Sequence, residues 1–233
     1  SARELYNLSF ILPFFVRLKN NLGTYSSISY GYRHPTMNEL YWPEDNFAAG
    51  NPDLKSESNL TIETGLRYLS RYFLKLGCFG KIGEKIIIWR PSDDGKWRPF
   101  NTGNYFAQGG NIELSLDSPL KISFGYSFTS VKIDNGVLPY RPEHSVILNL
   151  EKYGFYTESM GFIKRPANPS GLLFLDDIFL INFGYHLKKK LNNFILEINP
   201  KIKNILDKNY QFVEGYTQPG REYEITIKIK EAK

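Results

Sequence analysis

The stretch from Lys121 to Thr129 reads KISFGYSFT. Large apolar side chains occupy every second position and alternate with small polar residues or glycine. The apolar set is Ile122, Phe124, Tyr126 and Phe128. Successive side chains of a strand point to opposite faces, so this pattern predicts a β-strand with one apolar and one polar face. The same alternation recurs over residues 60–68, 178–187 and 222–230.

This alternation predicts an all-β chain of eleven strands. The predicted ranges are about 8–18, 24–33, 60–69, 73–89, 105–116, 121–131, 144–152, 156–165, 178–187, 193–204 and 222–230. Most strands have about 9–11 residues, enough to span a bilayer when tilted, whereas strands of globular proteins average about 5–6 residues.

The connections between these strands alternate in length. Short ones fall near Lys19, Ser70, Asp117, Tyr153 and Lys188. Long ones cover about 34–59, 90–104, 132–143, 166–177 and 205–221. Short turns on the periplasmic side and long loops outside are typical of outer-membrane barrels. The sequence therefore predicts a portion of an antiparallel transmembrane β-barrel, and a periplasmic end for the last strand.

Composition excludes several other classes of protein. The 233 residues include 29 basic and 24 acidic side chains, a formal charge of +5, and no Lys/Arg block that would indicate nucleic-acid binding. No apolar run reaches the roughly 18 residues of a membrane helix. Aromatics near strand ends are expected to form interfacial girdles. They are Tyr30, Tyr32, Tyr68, Trp89, Phe128 and Tyr185.

A soluble β-sandwich, such as a carbohydrate-binding module, shows the same alternation in any single strand. The number and length of the strands and their aromatic ends favour the barrel. On that interpretation Cys78 faces lipid with Leu74 and Leu76, while Arg33, Glu63 and Arg67 point into the lumen, where they could pair with each other or with a plug.

One predicted strand conflicts with a uniformly apolar lipid face. Glu158 shares a face with Tyr156, Met160 and Phe162, which we assign to lipid. A carboxylate is tolerated there near the membrane interface, where the free-energy cost of a charge is small. We therefore expect Glu158 at the interface or at a bulge.

Two segments carry spaced turn formers and charged residues. The first, from Tyr30 to Tyr68, contains Arg33, Pro35, Thr36, Glu39, Leu40, Tyr41, Gly50, Asn51, Pro52, Leu54, Glu57, Glu63 and Gly65. The second, from Ile202 to Lys230, contains Asn204, Asp207, Tyr210, Gly215, Tyr216, Pro219, Gly220 and Arg221. In this order and at this separation, the two segments resemble the barrel of TonB-dependent outer-membrane receptors. Ser56 replaces the family's usual proline, and the chain end at Lys233 lacks the family's terminal aromatic.

The resemblance implies that residues 1–233 form the C-terminal part of a 22-stranded barrel in the bacterial outer membrane, without a plug domain or a signal peptide in this chain. It implies four partners: membrane lipid, the protein's own N-terminal plug and remaining strands, TonB, and a small-molecule ligand such as a metal chelate. Active uptake of an iron–siderophore is the first expectation, and cobalamin or an oligosaccharide stays open. A passive porin-like or adhesive barrel is the alternative.

Motifs for chemistry are missing from the sequence. Glu143-His144 lacks the second, spaced histidine of a zinc motif. The turns at 92–95 and 176–177 lack the spaced oxygen ligands of a calcium loop. We therefore expect no catalytic residue, metal or cofactor, and no nucleic-acid partner.

Ligand contacts are expected from aromatic and cationic residues in the first and third connections. The candidates are Tyr41, Trp42, Phe47, Trp97, Arg98 and Phe100. Such side chains suit a rigid organic chelate, a corrinoid or a sugar. Packing of the loops is the alternative role for each of them, and the motif residues are expected to shape loops and strand re-entry.

Overall fold

The computed structural model describes residues 9–134 and 136–231. The predicted strand start at Leu8 lies outside these residues. The elements are β1 (Phe10–Lys19), β2 (Leu22–Arg33), α1 (Met37–Tyr41), β3 (Glu57–Leu69), β4 (Tyr72–Glu84), β5 (Ile87–Pro91), β6 (Trp97–Asn101), β7 (Asn104–Leu116), β8 (Lys121–Ile133), β9 (Gly136–Val137), β10 (His144–Lys152), β11 (Phe155–Ile163), β12 (Arg165–Pro166), β13 (Phe174–Leu175), β14 (Ile178–Tyr185), β15 (Leu187–Leu191), β16 (Phe194–Lys203) and β17 (Glu222–Glu231). In the described ranges no helix is long and apolar enough to cross a membrane.

One antiparallel sheet forms a wall. Its strands pair in the order β1, β2, β3, β4, β7, β8, β10, β11, β14, β16, with β17 beyond β16. β15 continues β14 after His186 and pairs with the same neighbour, β16. If β14 and β15 count as one strand, the described residues form the eleven predicted wall strands. β1 and β17 are the two open edges of this sheet.

The outer face of the wall is apolar although it is exposed. Ile62 on β3 and Ile227 on β17 keep 52% and 61% of their surface accessible. Across the strands the apolar side chains fall into register, for example along the row Leu66, Leu76, Ile112, Tyr126 and Val146. A soluble sheet would bury this face, so the exposed rows are suited to hydrocarbon. Cys78 lies opposite Thr64 and Gly110 on this same face, as predicted.

The inner face carries hydrogen-bonded charges. Lys75 on β4 lies 3.6 Å from Glu63 and 3.5 Å from Glu113, which belong to the two neighbouring strands. The Tyr25 hydroxyl donates to Glu63 over 3.1 Å. These three charges thus have partners within the wall, which limits their desolvation penalty in a confined lumen. Glu63 and Arg67 do not pair with each other: Arg67 lies 5.3 Å over the ring of Phe73.

The structure corrects the assignment of Glu158. It lies opposite Asn182, and this strand pair places Tyr156, Met160 and Phe162 on the inner face as well. Lys201 donates to the Glu158 carboxylate over 2.6 Å and Asn182 donates over 3.2 Å. The prediction was wrong because large apolar side chains suggested lipid contact. The outer face of β11 instead carries Thr157, Ser159 and Gly161, opposite outward-facing residues of β10.

Two strand boundaries also differ from prediction. The range 73–89 is not one strand: β4 ends at Glu84, and a separate hairpin begins at Ile87. Trp89 therefore belongs to a long connection and not to an interfacial girdle. The turn predicted near Lys188 lies further on, at 192–193, because β15 continues to Leu191. A continuous apolar run such as IIIW cannot by itself indicate where one strand stops.

A lysine at the centre of the outer face should destabilise the barrel. For Ile62→Lys in the full-length protein in lipid vesicles, we expect a loss of about 2–4 kcal/mol in the free energy of unfolding, because an unpaired ammonium would face hydrocarbon. Ser127→Lys, on the inner face, is the matched control, with an expected loss below about 1 kcal/mol. Urea titration measures both, and equal losses would contradict the assignment of faces.

Candidate functional site: a two-loop cap on the wall

The first and third long connections pack together at one end of the wall. We call residues 34–56 and 85–103, which include α1, β5 and β6, the cap. The Trp97 amide donates to the carbonyl of Phe47 over 2.8 Å, and the Ala49 amide donates to the carbonyl of Trp97 over 3.0 Å. Ala48 and Trp97 form a parallel bridge. The first connection is therefore bridged to the start of β6 at one residue pair.

Two asparagines join the two connections. The Asn101 side chain accepts from the Lys55 amide over 2.7 Å and donates to the carbonyls of Lys55 and Lys85 over 2.9 and 2.7 Å. Asn51 donates to the carbonyl of Pro99 over 3.0 Å. A side-chain amide has both donors and an acceptor, so it can satisfy backbone groups of two segments at once.

The Gly50-Asn51-Pro52 turn has a steric requirement. A Cβ at Gly50 would lie 2.6 Å from the backbone nitrogen of Trp42 and 2.7 Å from the carbonyl oxygen of Leu40. Asn51 then donates its amide to the carbonyl of Glu39 over 2.8 Å. The turn thus returns the chain against α1, and Leu54 just beyond it is 6% exposed.

Arg33 anchors the cap to the end of β2. Its guanidinium donates to Glu39 over 2.9 Å and to Glu57 over 2.7 Å. Glu57 also accepts from the Ile87 amide over 2.6 Å, and Glu39 closes a capping box with Thr36 at the start of α1. Burial opposes ionisation of Glu39, but hydrogen bonds from Arg33 and Thr36 outweigh it and lower the pKa of this carboxyl.

The cap presents several exposed aromatic side chains. Tyr41, Trp42, Phe47 and Trp97 are 61%, 43%, 78% and 51% exposed. Trp42 packs edge-on against Trp89, with ring centroids 6.3 Å apart. The β5–β6 register places Trp89 and Trp97 on one face of the hairpin. Trp89 was not predicted to be a loop residue, because the apolar run before it extended the predicted strand through this position.

Arg98 and Phe100 lie on the opposite face of the hairpin. Arg98 pairs with Asp94 over 2.9 Å and with Glu44 over 3.3 Å. Phe100 lies under the guanidinium of Arg90, 4.7 Å from the ring centroid. The structure therefore brings Trp42 against Trp89, with Trp97 on the same face of the hairpin, and places Arg98 and Phe100 on the other face.

The second motif closes the last long connection. The Asp207 carboxylate accepts from the Arg221 amide over 2.7 Å, and the Arg221 guanidinium donates to the carbonyl of Ile205 over 2.8 Å. Asn204, 3% exposed, bonds both backbone groups of Lys208. Tyr210 packs edge-on against Phe212. Pro219 and Gly220 complete the motif, and a Cβ at Gly220 would lie 2.7 Å from the Asp207 carboxylate. The motif fixes where the chain re-enters the wall.

An open cavity of about 730 Å³ lies on the inner face, away from the cap. Its lining includes Ser123, Ile147, Asn149, Glu158 and His186. His186 stacks on Tyr156, with ring centroids 4.3 Å apart. In the described part of the chain, no three His, Cys, Asp or Glu side chains are grouped to hold a metal ion.

Comparisons with known proteins agree with this architecture. A family model described as "TonB dependent receptor-like, beta-barrel" matches residues 6–185. Vitamin B12 transporters of Vibrio vulnificus and Photobacterium profundum are 24% and 26% identical over 88% and 92% of this chain. These matches cover 34% and 35% of the relatives, so the chain spans about a third of their length.

Solved structures show the same fold. The copper transporter OprC superposes with a TM-score of 0.70 at 15% identity, over 93% of this chain and 38% of that one. The siderophore receptor PirA of Acinetobacter baumannii superposes with a TM-score of 0.66 at 15% identity, over 97% of this chain and 41% of that receptor.

Replacing Asn101 should loosen the cap. In the full-length barrel, we expect Asn101→Ala to accelerate amide hydrogen exchange in residues 34–56 and 85–103 about tenfold or more, because three hydrogen bonds of roughly 1 kcal/mol each are lost. Asn149→Ala, on the inner wall, is the matched control and should leave cap exchange unchanged. Equal exchange in both variants would show that Asn101 does not hold the cap.

Acid should also loosen the cap, through Glu39. The pKa of Glu39 is lowered in the folded protein. Its ion pair therefore stabilises the cap at pH values above the unfolded-state pKa of about 4.3, and this contribution is lost as the pH falls through the folded-state pKa. We expect the Trp42 fluorescence, isolated by comparison with Trp42→Phe, to change below about pH 4. Glu39→Gln should flatten that change; an unaltered profile would contradict the role of this carboxyl.

Proposed function

Since this chain belongs to the TonB-dependent receptor β-barrel family, we propose that it forms the C-terminal part of the wall of an outer-membrane receptor for active uptake of a scarce ligand. The observation that carries the proposal is the combination of an exposed apolar outer face, a charge-paired inner face and a hydrogen-bonded cap with exposed aromatic side chains at one end. Such a wall separates lipid from a wet interior and presents a binding surface above it.

The partners follow from what the wall leaves unsatisfied. Membrane lipid covers the exposed rows on the outer face. The unpaired backbone of β1 and β17 requires the remaining barrel strands, since open sheet edges are not stable in hydrocarbon. The protein's own plug would occupy the lumen, and TonB would engage the N-terminal part of the whole receptor.

The ligand would meet the cap first. Tyr41, Trp42, Phe47 and Trp97 offer exposed rings, and Arg98 and Phe100 lie on the other side of the hairpin. A siderophore complex, cobalamin or an oligosaccharide each has a rigid surface that suits such a site. The related proteins include vitamin B12 transporters, a copper transporter and a siderophore receptor, which is consistent with a family of differing ligands.

Uptake through the full-length receptor should depend on TonB. Cells expressing it, with and without a functional TonB, are offered cobalamin, ferric siderophores and maltooligosaccharides in labelled form. We expect one class to accumulate only in the TonB-containing strain, and addition of a protonophore to abolish that accumulation. Accumulation independent of TonB would instead identify a passive, porin-like barrel, and an absence of receptor-dependent uptake of any kind would contradict transport.

A further inference from the structure

The last hairpin of the wall extends beyond the turn next to it. β14 pairs with β11 as far as Tyr185, opposite Phe155, and the His186 amide then donates to the carbonyl of Gly154 in the adjacent turn over 2.8 Å. The chain continues past that turn as β15, Leu187–Leu191, for about 16 Å of strand. This projection lies at the end of the wall opposite the cap, where the short turns are.

One backbone edge of the projection has no neighbouring strand. Among the described residues, β15 pairs only with β16. Its other edge continues the side occupied by β11, but the chain there has already turned back at 153–154. Strands that complete the barrel would adjoin β1 and β17, so they would leave this edge open. A free row of N–H and C=O groups is a template for an added strand.

Lysines are concentrated on this projection and on the end of β17 beside it. Residues 187–198 and 226–231 contain five lysines and two glutamates, an excess of three positive charges. The whole chain of 233 residues has a formal charge of +5, so more than half of its excess charge lies in these two short segments. Concentrated charge of one sign attracts a partner of the opposite sign.

On the inner face, four of these lysines share one carboxylate. Lys188 of β15 lies opposite Glu197 of β16, and Lys190 follows on the same face. Lys228 lies opposite Glu197 from the other side, and Lys230 follows it along β17. The Glu197 carboxylate is 2.8 Å from the Lys230 ammonium and 3.8 Å from that of Lys188. Among the described residues, no carboxylate forms an ion pair with Lys190 or Lys228.

From these observations we infer that the open edge of β15 binds an extended, acidic polypeptide segment as an additional strand. Backbone hydrogen bonds to the free edge supply affinity in this mode of recognition, and alternate side chains supply specificity. Carboxylates at every second position of the added strand would lie across from Lys188 and Lys190, as opposite-charge pairs between neighbouring strands. The inference goes beyond uptake, because it assigns a partner to the end of the wall opposite the cap.

Anionic lipid headgroups are the competing partner for lysines at a membrane surface. They would meet the lipid-facing side of the projection, where Lys189 lies between Leu187 and Leu191. The inner-face lysines point away from lipid, and a headgroup does not extend a sheet along its backbone edge. Lysines also protect an edge strand from unwanted pairing, and an acidic segment is the partner that this protection does not repel.

Peptide binding to the purified full-length receptor in detergent micelles tests the partner. The probe is a dye-labelled peptide of alternating Glu and Thr, and its two controls carry Gln in place of Glu or N-methyl groups on the backbone amides. We expect the acidic peptide to bind, the Gln peptide to bind about fivefold or more weakly, and N-methylation to abolish binding. Absence of binding by the acidic peptide, or equal binding of either control, would overturn the inference.

Lysine variants of the same receptor locate the site. Lys188→Gln/Lys190→Gln should weaken binding of the acidic peptide about fivefold or more and reduce its salt dependence, because two cross-strand ion pairs are lost. Lys19→Gln/Arg71→Gln is the matched control, since it removes two exposed cations near other turns at the same end of the wall. Equal effects of the two double variants would overturn the assignment to β15.

Reconstitution distinguishes the polypeptide from lipid. In nanodiscs with and without phosphatidylglycerol, the acidic peptide should bind with affinities that agree within about threefold, because the inner-face lysines remain free of headgroups. Loss of peptide binding in the anionic nanodiscs alone would assign these lysines to lipid and overturn the inference.

Discussion

The structure depends on the requirement that backbone N–H and C=O groups find partners inside the sheet wherever the wall faces hydrocarbon. Antiparallel pairing from β1 to β17 meets that requirement over eleven strands, and the two edge strands are where it is left unmet. The placement of apolar side chains on the outer face and charged side chains on the inner face follows from the same constraint. Once the backbone is satisfied, the centre of the outer face needs only apolar side chains such as Ile62, and charges such as Lys75 and Glu158 turn inward and find partners.

Where strands end, side chains replace the sheet as partners of the backbone. Asn51 and Asn101 join two long connections into the cap, while Asn204 and Asp207 close the last connection onto the wall. The family-like motifs therefore encode loop shape more than ligand chemistry. In the proposed receptor, exposed rings on a backbone held by these hydrogen bonds would offer a ligand a preorganised surface.

Much of this could be predicted from sequence, since strict alternation as in KISFGYSFT reports both the strand and its two faces. The β5–β6 hairpin could not, because IIIW reads as a continuation of β4 when no turn former interrupts it. Glu158 was assigned to the wrong face because Tyr156, Met160 and Phe162 resemble a lipid-facing set, and only pairing with Asn182 shows where they point. The cap candidates were chosen by residue type. The contact of Trp42 with Trp89, and the pairing of Arg98 with Glu44, join segments distant in sequence.

The central claim is that one face of this wall contacts hydrocarbon and the other lines water. Spin labels at Ile62, Phe124 and Ile227, and at their inward neighbours Thr61, Ser123 and Thr226, can be compared in lipid-reconstituted full-length receptor. The outward labels should collide with dissolved oxygen and be shielded from a water-soluble paramagnetic nickel complex, and the inward labels should be less accessible to oxygen. Outward labels quenched by the polar complex would contradict the account.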